Sequence, residues 1–349
     1  MTISIITPSY GQLDWLRLCV ASVADQVAPE AQFESTKVRK YESNDLSTFE
    51  PSHLPTYPPS HLPTNGFAVE HIIQDAGSPG IEEFAREVGA ILQQRYGGEA
   101  VESLSPFDLL HFRTEFGYTL RILKEPDAGM YDAINKGLAR ATGEICAWLN
   151  SDEQYLKGAL PKAASLFGKK SGLDVLLGDA LLTDREHLPV CYRRIMVPGR
   201  RHTRLDHLHS LSCAMFFRKS SLPSPPLDPR WRVISDAVLM DYFLKTKRRI
   251  FACRQLLSTY AFTGANLSAN PALREHDAWL SEENWPPSWQ RRFVVINSRL
   301  RRLASGAYRS FAVDEEIFTR ESPWKRVPVQ GIVSGRWPKD TGFADGSPS

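Results

Sequence analysis

Short apolar runs alternate with amphipathic stretches through the first 153 residues. Runs rich in β-branched residues predict buried strands at 2–7, 69–75, 120–123 and 144–149. Apolar positions recur with helical spacing between the runs, which predicts helices over 13–26, 78–95 and 129–141. Residues 97–118 lack either pattern and are predicted to form a loop. Alternating strands and helices are typical of an α/β fold with a mostly parallel central sheet flanked by helices.

The second half of the chain has a more mixed pattern, which predicts a smaller region of mixed strands and helices. Its predicted strands are 175–183, 190–197, 214–218, 250–253 and 257–262, and its predicted helices are 234–245 and 289–303. The last helix is expected to turn Phe293, Ile296, Leu300 and Leu303 inward. Five arginines lie on it: Arg291, Arg292, Arg299, Arg301 and Arg302. They fit the basic outer face of a packed helix, or contact with an anionic membrane surface, and the first interpretation is favoured.

Composition changes sharply in two places. Residues 28–66 are rich in Pro, Ser, Thr and His and contain a tandem repeat, so an inserted loop is predicted there. The expected organisation is one domain over 1–270, with halves at 1–153 and 154–270. A helical extension at 271–322 and a flexible tail at 323–349 are expected to follow.

The bulk chemistry excludes several classes of protein. The chain has 349 residues, of which 42% are hydrophobic and 23% charged, and a formal net charge of +2. That charge gives no argument for a nucleic-acid partner. Five scattered cysteines without a CxxC pair argue against a disulfide framework or a cysteine-rich zinc site. Neither a signal peptide nor a membrane-spanning run is evident, so a cytoplasmic protein is expected, with attachment to the inner face of the membrane left open.

Polar residues cluster where the predicted parallel strands end, which is where ligands bind in such sheets. The clusters are Pro8-Ser9-Tyr10, Asp75, Asp127 with the following Asn135-Lys136, and Asn150-Ser151-Asp152-Glu153. Carboxylates on a strand-end loop suit a divalent cation that also binds a diphosphate.

Each of these acids also has a simpler interpretation. Asp152 fits an ordinary turn, Asp75 and Asp236 fit helix caps, and Asp241 fits a surface charge. The basic stretch 200–204 fits either a phosphate contact or a solvated loop.

Taken in order, five motifs resemble the inverting family 2 glycosyltransferases of GT-A fold. They are IITPSY at 5–10, IQDAGS at 73–78, EPDAGMYDAINKG at 125–137, ATGE at 141–144 and WLNSDE at 148–153. The ordered set is far more specific than any single motif, and the resemblance covers roughly 1–30 and 67–270. It implies a nucleotide-binding half at 1–153 and a smaller, mixed acceptor half at 154–270.

The resemblance implies a role for each matching position. Pro8, Ser9, Tyr10 and Asp75 would hold the nucleoside, while Asp127, Asn135, Lys136, Asn150 and Ser151 would lie along the nucleotide and donor sugar. Asp152 would bind Mg²⁺ or Mn²⁺, Asp236 would be the catalytic base, and 264–268 would close the site.

The chain departs from the family pattern at three positions. Asn150 and Glu153 replace common aspartates, which puts a metal role for Glu153 in doubt. Ser212 stands where many relatives carry a histidine, for which His207 or His209 are candidates.

The resemblance implies transfer of a sugar, with inversion, from a nucleoside-diphosphate sugar such as a UDP-sugar to a hydroxyl of a saccharide or lipid-linked saccharide. Cell-surface polysaccharide or lipopolysaccharide synthesis is the expected context. Two alternatives stay open: a catalytically degenerate partner subunit, and a sugar-nucleotide pyrophosphorylase. The second is disfavoured because the loop after the first strand lacks basic residues.

Overall fold

A computed structural model of the chain describes residues 1–27, 66–206, 208–263, 271–282 and 288–337. Four parallel strands with buried side chains form the first part of a large sheet. They are β1 (Thr2–Ser9), β2 (Ala68–Asp75), β5 (Tyr118–Lys124) and β6 (Ile145–Trp148), and they lie side by side in the order β5-β2-β1-β6. The connecting helices are α1 (Leu13–Ala24), α2 (Ile81–Tyr96) and α3 (Met130–Arg140). The predicted α/β architecture is therefore confirmed.

The edge of this sheet differs from the prediction of a loop over 97–118. Strand β4 (Asp108–Arg113) pairs antiparallel with β5, and the two-residue β3 (Glu99–Ala100) pairs with β4. Asp108 accepts a bidentate hydrogen bond from Arg121 at 2.9–3.0 Å, with both side chains almost fully buried. Since an edge strand buries only part of its residues, β4 lacks the continuous apolar run that marks β1 and β2.

The second half of the chain extends the same sheet with antiparallel pairings, except that β8 and β11 pair in parallel. Its elements are β7 (Glu153–Tyr155), α4 (Ala159–Lys169), β8 (Val175–Thr183), β9 (Pro189–Arg193), α5 (Arg200–Leu205), β10 (Met215–Arg218), α6 (Ser235–Lys245) and β11 (Ile250–Ala261). Among the described residues the sheet has eleven strands, in the order β3-β4-β5-β2-β1-β6-β10-β8-β11-β7 with β9 beside β8. β11 replaces two predicted strands, because irregularities between Cys253 and Ser258 interrupt its pattern without ending it.

Both faces of the sheet are covered by helices. One apolar cluster includes Val20 of α1 and Val88 of α2, and the other includes Ile134 of α3 and Phe243 of α6. Helix α3 lies very close to β1, since a Cβ added at Gly137 would fall 2.5 Å from Ile6 Cγ2. This close approach fixes α3, and the loop that precedes it, against the strand at the centre of the parallel region.

The C-terminal region corrects two predictions. Helices α7 (Pro271–Ser281) and α8 (Ser288–Ala304) follow the expected extension, but β12 (Ser310–Thr319) and β13 (Ser322–Ser334) then form an antiparallel hairpin. The hairpin occupies much of what was predicted as the end of a helical extension and a flexible tail. Val313 and Val333 pack on Leu181 and Tyr192, so this hairpin is held by apolar contacts despite its polar composition.

Helix α8 corrects a third prediction. Phe293, Ile296, Leu300 and Leu303, expected to face inward, are all exposed. Hydrophobic periodicity identifies a stripe on a helix, but the stripe alone does not say that the rest of the protein covers it. No helix of the described residues is both long and apolar enough to cross a membrane.

Candidate functional site

Four parallel strands end side by side and bring the predicted polar clusters to one edge of the sheet. Ser9 at the end of β1 pairs with Asp75 at the end of β2, and Asp75 pairs with Lys124 at the end of β5. On the other side of β1, Ile6 pairs with Trp148, just before the Asn150–Glu153 loop. Asp75 and Asp152 therefore follow strands that flank β1 at the same edge.

The β1 and β2 ends are joined by hydrogen bonds around a buried carboxylate. Asp75 Oδ1 accepts from the backbone N–H groups of Gly77 and Ser78 at 2.8 and 2.6 Å, and Oδ2 accepts from Ser78 Oγ at 2.7 Å. Ser78 Oγ in turn accepts the Gly11 N–H at 2.7 Å. Asp75 thus shapes the loop after β2, which is the capping role that its position also predicted.

Beside Asp75, two residues of the β1 end remain open to a ligand. The Ser9 hydroxyl is buried without a hydrogen-bond partner, and the Tyr10 side chain is mostly exposed. A buried hydroxyl with unmet hydrogen-bonding capacity at a strand end is suited to a polar ligand. Pro8 precedes them and pairs with Gln74 in the β1–β2 ladder. The nucleoside role of these residues stays a prediction.

The loop before α3 is stabilised by its own charges. Asp127 accepts the Gly129 N–H at 2.9 Å, and burial raises the pKa of Asp127 above its ordinary value. Lys136 donates to the Pro126 carbonyl at 2.5 Å and lies 3.4 Å from Asp132 and 3.5 Å from Glu125. Lys136 thus holds the strand-end loop against the first turns of α3, a role that is independent of a nucleotide.

Asn135 has both ends of its amide occupied by one residue. Its Nδ2 donates to the Leu227 carbonyl at 2.7 Å, and its Oδ1 accepts the Leu227 N–H at 2.9 Å. The pair links α3 to the segment that leads into α6. The predicted contact of Asn135 with the donor gains no support from this geometry.

The Asn150–Glu153 loop contains two carboxylates in an environment that disfavours their charge. Glu153 is fully buried, its Oε2 accepts the Asn150 N–H at 2.7 Å, and its Oε1 has no hydrogen-bond partner. Asp152 beside it is half-buried. Burial raises the pKa of both acids, and the negative charge of Asp152 raises that of Glu153 further. Ser151 Oγ donates to Gln12 Oε1 at 3.2 Å and ties this loop to the loop after β1.

These features fit a divalent cation at the Asn150–Glu153 loop. Besides Glu153 Oε1, the side-chain oxygen of Asn150 is buried without a hydrogen-bond partner, so the loop that carries the half-buried Asp152 has two unpaired buried oxygens. A cation would relieve the cost of ionising both carboxylates. Within the described ranges, no three His, Cys, Asp or Glu side chains gather as a metal site. The arrangement is typical of Mg²⁺-type sites, in which few carboxylates act together with substrate phosphates.

Asp236 lies in the first turn of α6 and is oriented towards the same region. Its Oδ1 accepts the Ala237 N–H at 2.8 Å, and burial raises its pKa from 3.8 to about 6. The negative charge of Asp236 contributes to the raised pKa of Glu153, which places the two acids within electrostatic range of each other. A carboxyl group with a pKa near neutrality suits a proton acceptor.

Two residues that the sequence did not single out support Asp236. The Tyr131 hydroxyl donates to the Val233 carbonyl at 3.0 Å, and its hydrogen bond to Asp236 lowers the pKa of that acid. Glu275 of α7 accepts the N–H groups of Arg232 and Val233 at 3.0 and 2.8 Å, just before α6. Tyr131 could have been singled out because it lies inside the 125–137 motif. Glu275 could not, because the residues that it contacts lie about forty positions earlier in the sequence.

Neither interpretation of the basic stretch near 200, nor the surface position expected for Asp241, matches the structure. Asp241 is buried and accepts hydrogen bonds from Arg200 at 2.9 Å and Arg204 at 2.8 Å. Arg204 also stacks on Trp279, 4.3 Å from the ring centroid. These arginines therefore form a buried ion-pair network that joins α5, α6 and α7.

The histidine expected near Ser212 is not replaced by His209. His209 is buried, 2.8 Å from Ser298 Oγ and 3.3 Å from Asp206, and these contacts belong to the packing of α8. His207 and the predicted closing segment 264–268 lie outside the described residues, as does nearly all of the 28–66 insertion.

A comparison with known protein families matches the part of the chain that contains the loops after β5 and β6. The family model "Glycosyl transferase family 2" matches residues 108–221. Proteins of Mycobacterium bovis and Mycobacterium tuberculosis described as "PGL/p-HBAD biosynthesis glycosyltransferase" are 31% identical over 87 residues, which is 25% of this chain. The matched stretch spans 33% of the length of those mycobacterial proteins.

Solved structures with a similar chain path include S. aureus TarS in complex with UDP-GlcNAc. Its identity is 13% and its TM-score 0.46, over 87% of this chain and 73% of that chain. A mannosyltransferase from Pyrobaculum calidifontis in complex with GDP-Man and Mn²⁺ has 13% identity and a TM-score of 0.45, over 85% and 69% of the two chains. Over residues 108–221, the match of the family model bears out the resemblance to the family 2 glycosyltransferases that the ordered motifs indicate.

Proposed function

We propose that the protein transfers a sugar from a nucleoside-diphosphate sugar, with UDP as the favoured nucleotide, to an acceptor hydroxyl with inversion at the anomeric carbon. One observation carries the proposal: Asp236, whose pKa is raised by burial, lies within electrostatic range of the Asp152–Glu153 pair at the carboxyl ends of the strands. A proton acceptor and a carboxylate-lined recess for a cation-bound diphosphate are the two parts that such a transfer needs.

The donor side is formed by the loops after β1, β2 and β6. Ser9 and Tyr10 offer a hydroxyl and an exposed ring for the nucleoside, beside the loop shaped by Asp75. Asp127, Asn135, Lys136, Asn150 and Ser151 are proposed to lie along the donor. Mg²⁺ or Mn²⁺, bound at Asp152, would supply positive charge to the diphosphate as the nucleotide departs.

On the acceptor side, Asp236 is proposed to take the proton of the attacking hydroxyl. The hydroxyl oxygen forms a bond to the anomeric carbon as the bond to the nucleotide breaks on the opposite face, and the proton goes to Asp236. Its pKa of about 6 leaves it mostly ionised at neutral pH while keeping it basic enough to accept a proton. Tyr131 acts through Asp236 as a positioning residue.

The substitution Asp236→Asn tests the assignment. We expect transfer to fall by roughly 10²- to 10⁴-fold because the proton acceptor is lost. Calorimetric binding of UDP with Mn²⁺ should be unchanged, since Asp236 does not hold the donor. The matched control is Asp277→Asn, an exposed aspartate on α7. Turnover at the wild-type rate in Asp236→Asn would remove Asp236 from the mechanism.

A panel of UDP- and GDP-sugars, each with and without Mn²⁺, would identify the donor. The proposed acceptors are saccharides or lipid-linked saccharides used in cell-surface polysaccharide or lipopolysaccharide synthesis. Such acceptors would place the protein in the cytoplasm at the inner face of the membrane. Loss of the metal effect in Asp152→Asn would support a cation at that carboxylate, and a full metal effect would argue against it.

A further inference from the structure

Helix α8 presents an apolar stripe to solvent. The stripe residues are 53% to 66% exposed, and they are Trp289, Phe293, Ile296, Leu300 and Leu303. Their alternating spacing of four and three residues places them in one line along the helix. Scattered exposed apolar residues are ordinary, but five in one line, including Trp and Phe, form a continuous patch that marks an interaction surface.

The opposite face of α8 fixes the helix in this orientation. Ser298 and Arg302 are buried and contact His209 at 2.8 and 3.3 Å, and Arg302 also stacks on Tyr308. Arg291 Nε donates to the Leu205 carbonyl at 3.1 Å. Because burial of an arginine is costly unless it is hydrogen-bonded, these contacts specify the inward face. The contacts of the buried face therefore hold the helix with its apolar stripe towards solvent.

Positive charge borders the stripe. Arg292 and Arg299 are exposed and seven residues apart, so they lie on the same flank of the helix, next to Phe293 and Leu300. The sequence of α8 contains no aspartate or glutamate. An apolar stripe with a terminal tryptophan and flanking arginines has the chemistry of a helix that lies in a lipid headgroup region.

We infer that α8 docks the protein on an anionic membrane surface, with the apolar stripe in the headgroup–acyl boundary and Arg292 and Arg299 on lipid phosphates. A second copy of the chain is the competing occupant. Symmetric pairing of two α8 stripes would bring arginine flanks together without an acidic residue on either helix, which is unfavourable. The inference rests on the helix surface and does not depend on the transfer reaction.

The test is flotation of the full chain with phosphatidylcholine vesicles, with and without phosphatidylglycerol. We expect binding to the anionic vesicles that weakens as salt is raised. The double substitution Phe293→Ser with Leu300→Ser should reduce the bound fraction roughly tenfold or more, and Arg292→Gln with Arg299→Gln should abolish the preference for phosphatidylglycerol.

The matched controls are Leu104→Ser with Leu188→Ser, two similarly exposed leucines, and Arg86→Gln with Arg113→Gln. They should bind vesicles like the wild type. The thermal unfolding midpoint reports folding in every variant. Calorimetric binding of UDP, measured separately, distinguishes failure of this inference from failure of the proposed transferase function. Absence of vesicle binding in the wild type, or equal loss in the controls, would overturn the inference. So would a dimer, seen by light scattering, that the Phe293 and Leu300 substitutions dissociate.

Discussion

Three acids at the candidate site, Asp152, Glu153 and Asp236, are buried or half-buried at a cost in stability. Glu153 is buried with one carboxylate oxygen unpaired, and Asp152 and Asp236 are half-buried acids whose pKa values burial raises. A fold selected only for stability would avoid such groups, because ionising them without a partner costs free energy. Acids buried in this way, Asp152 and Glu153 after β6 and Asp236 in the first turn of α6, support the proposal that a cation and a ligand bind there.

This arrangement predicts how stability depends on pH. The native pKa values exceed the ordinary ones, so the folded chain retains protons that the unfolded chain has released. The stabilising effect of this protonation is complete below about pH 4. At Asp236 it disappears as the pH rises through about 6, and at Glu153 it disappears at a higher pH. In the absence of metal, the thermal unfolding midpoint should therefore decrease as the pH is raised from 5 to 8, the range over which these acids lose their protons in the folded chain.

Mn²⁺ should reverse this decrease of the thermal midpoint. The substitution Glu153→Gln should raise the metal-free midpoint at pH 8 by a few degrees, because about 1 kcal/mol of stability corresponds to a few degrees in a chain of this size. Differential scanning fluorimetry across the pH series measures both effects. Glu316→Gln on the exposed hairpin is the control and should leave the midpoint unchanged. A metal-free midpoint that stays constant from pH 5 to 8 would contradict the raised pKa values.

Sequence reasoning located acids better than amides and hydroxyls. Asp152 and Asp236 were identifiable because a strand end or a helix start precedes them, and the structure has both features. Asn135 and Tyr131 sit in the same motif, yet their partners Leu227 and Val233 lie about a hundred residues away. Local pattern cannot reveal a hydrogen bond whose partner is set by tertiary packing.

At the scale of elements, α3 and the approach to α6 behave as one unit. Asn135 is bonded at both ends to Leu227, and Tyr131 donates to Val233, so α3 holds the segment that leads into Asp236 from two points. Glu275 of α7 holds the same segment from the other side. The acid on α6 is therefore positioned by two other elements, α3 and α7, as well as by its own helix.

Removal of the Tyr131 hydroxyl should show this positioning. Its hydrogen bond lowers the pKa of Asp236, so Tyr131→Phe should raise that pKa and move the acidic limb of the pH–rate profile to higher pH. Turnover at pH 6 should fall several-fold while turnover at pH 8 changes less. Tyr242→Phe, on α6 itself, is the control. An unshifted acidic limb would show that Tyr131 has no effect on the acid.

Elements with strong periodicity were predicted well, but the orientation of α8 was not. The strands β1, β2 and β8 carry continuous apolar runs and match the predictions closely. In α8 the periodicity was equally clear, but its apolar side faces solvent while Ser298 and Arg302 are buried. Periodicity defines a stripe, and only the partners supplied by other elements decide which side is covered.

For the whole molecule, the repeat-containing segment attaches far from the site. Val27 follows α1 and Gly66 precedes β2, and the Ala68 N–H donates to the Met1 carbonyl at 2.9 Å, at the amino ends of β1 and β2. The candidate site lies at the carboxyl ends of the same strands. Attachment at the opposite edge predicts that the segment is dispensable for donor binding.

Replacing residues 28–65 by a linker of about ten Gly and Ser residues tests this prediction, because loops tolerate such changes when the framework is unaffected. We expect UDP affinity within about twofold of the wild type and a thermal midpoint within a few degrees. A control of equal linker composition that also removes 76–79 should lose UDP binding, since those residues form the Asp75 loop. Loss of UDP affinity in the first deletion would place the segment at the site.

The continuous sheet has one more consequence. β6 pairs with β1 on the donor side and with β10 on the acceptor side, so a single hydrogen-bonded ladder runs beneath both halves. Within the part of the chain that the structure describes, this ladder opposes a swing of one half against the other, so rigid-body closure around a substrate is not expected of this framework. Relatives that share the framework would then change their choice of sugar by altering the loops at its rim, one loop at a time.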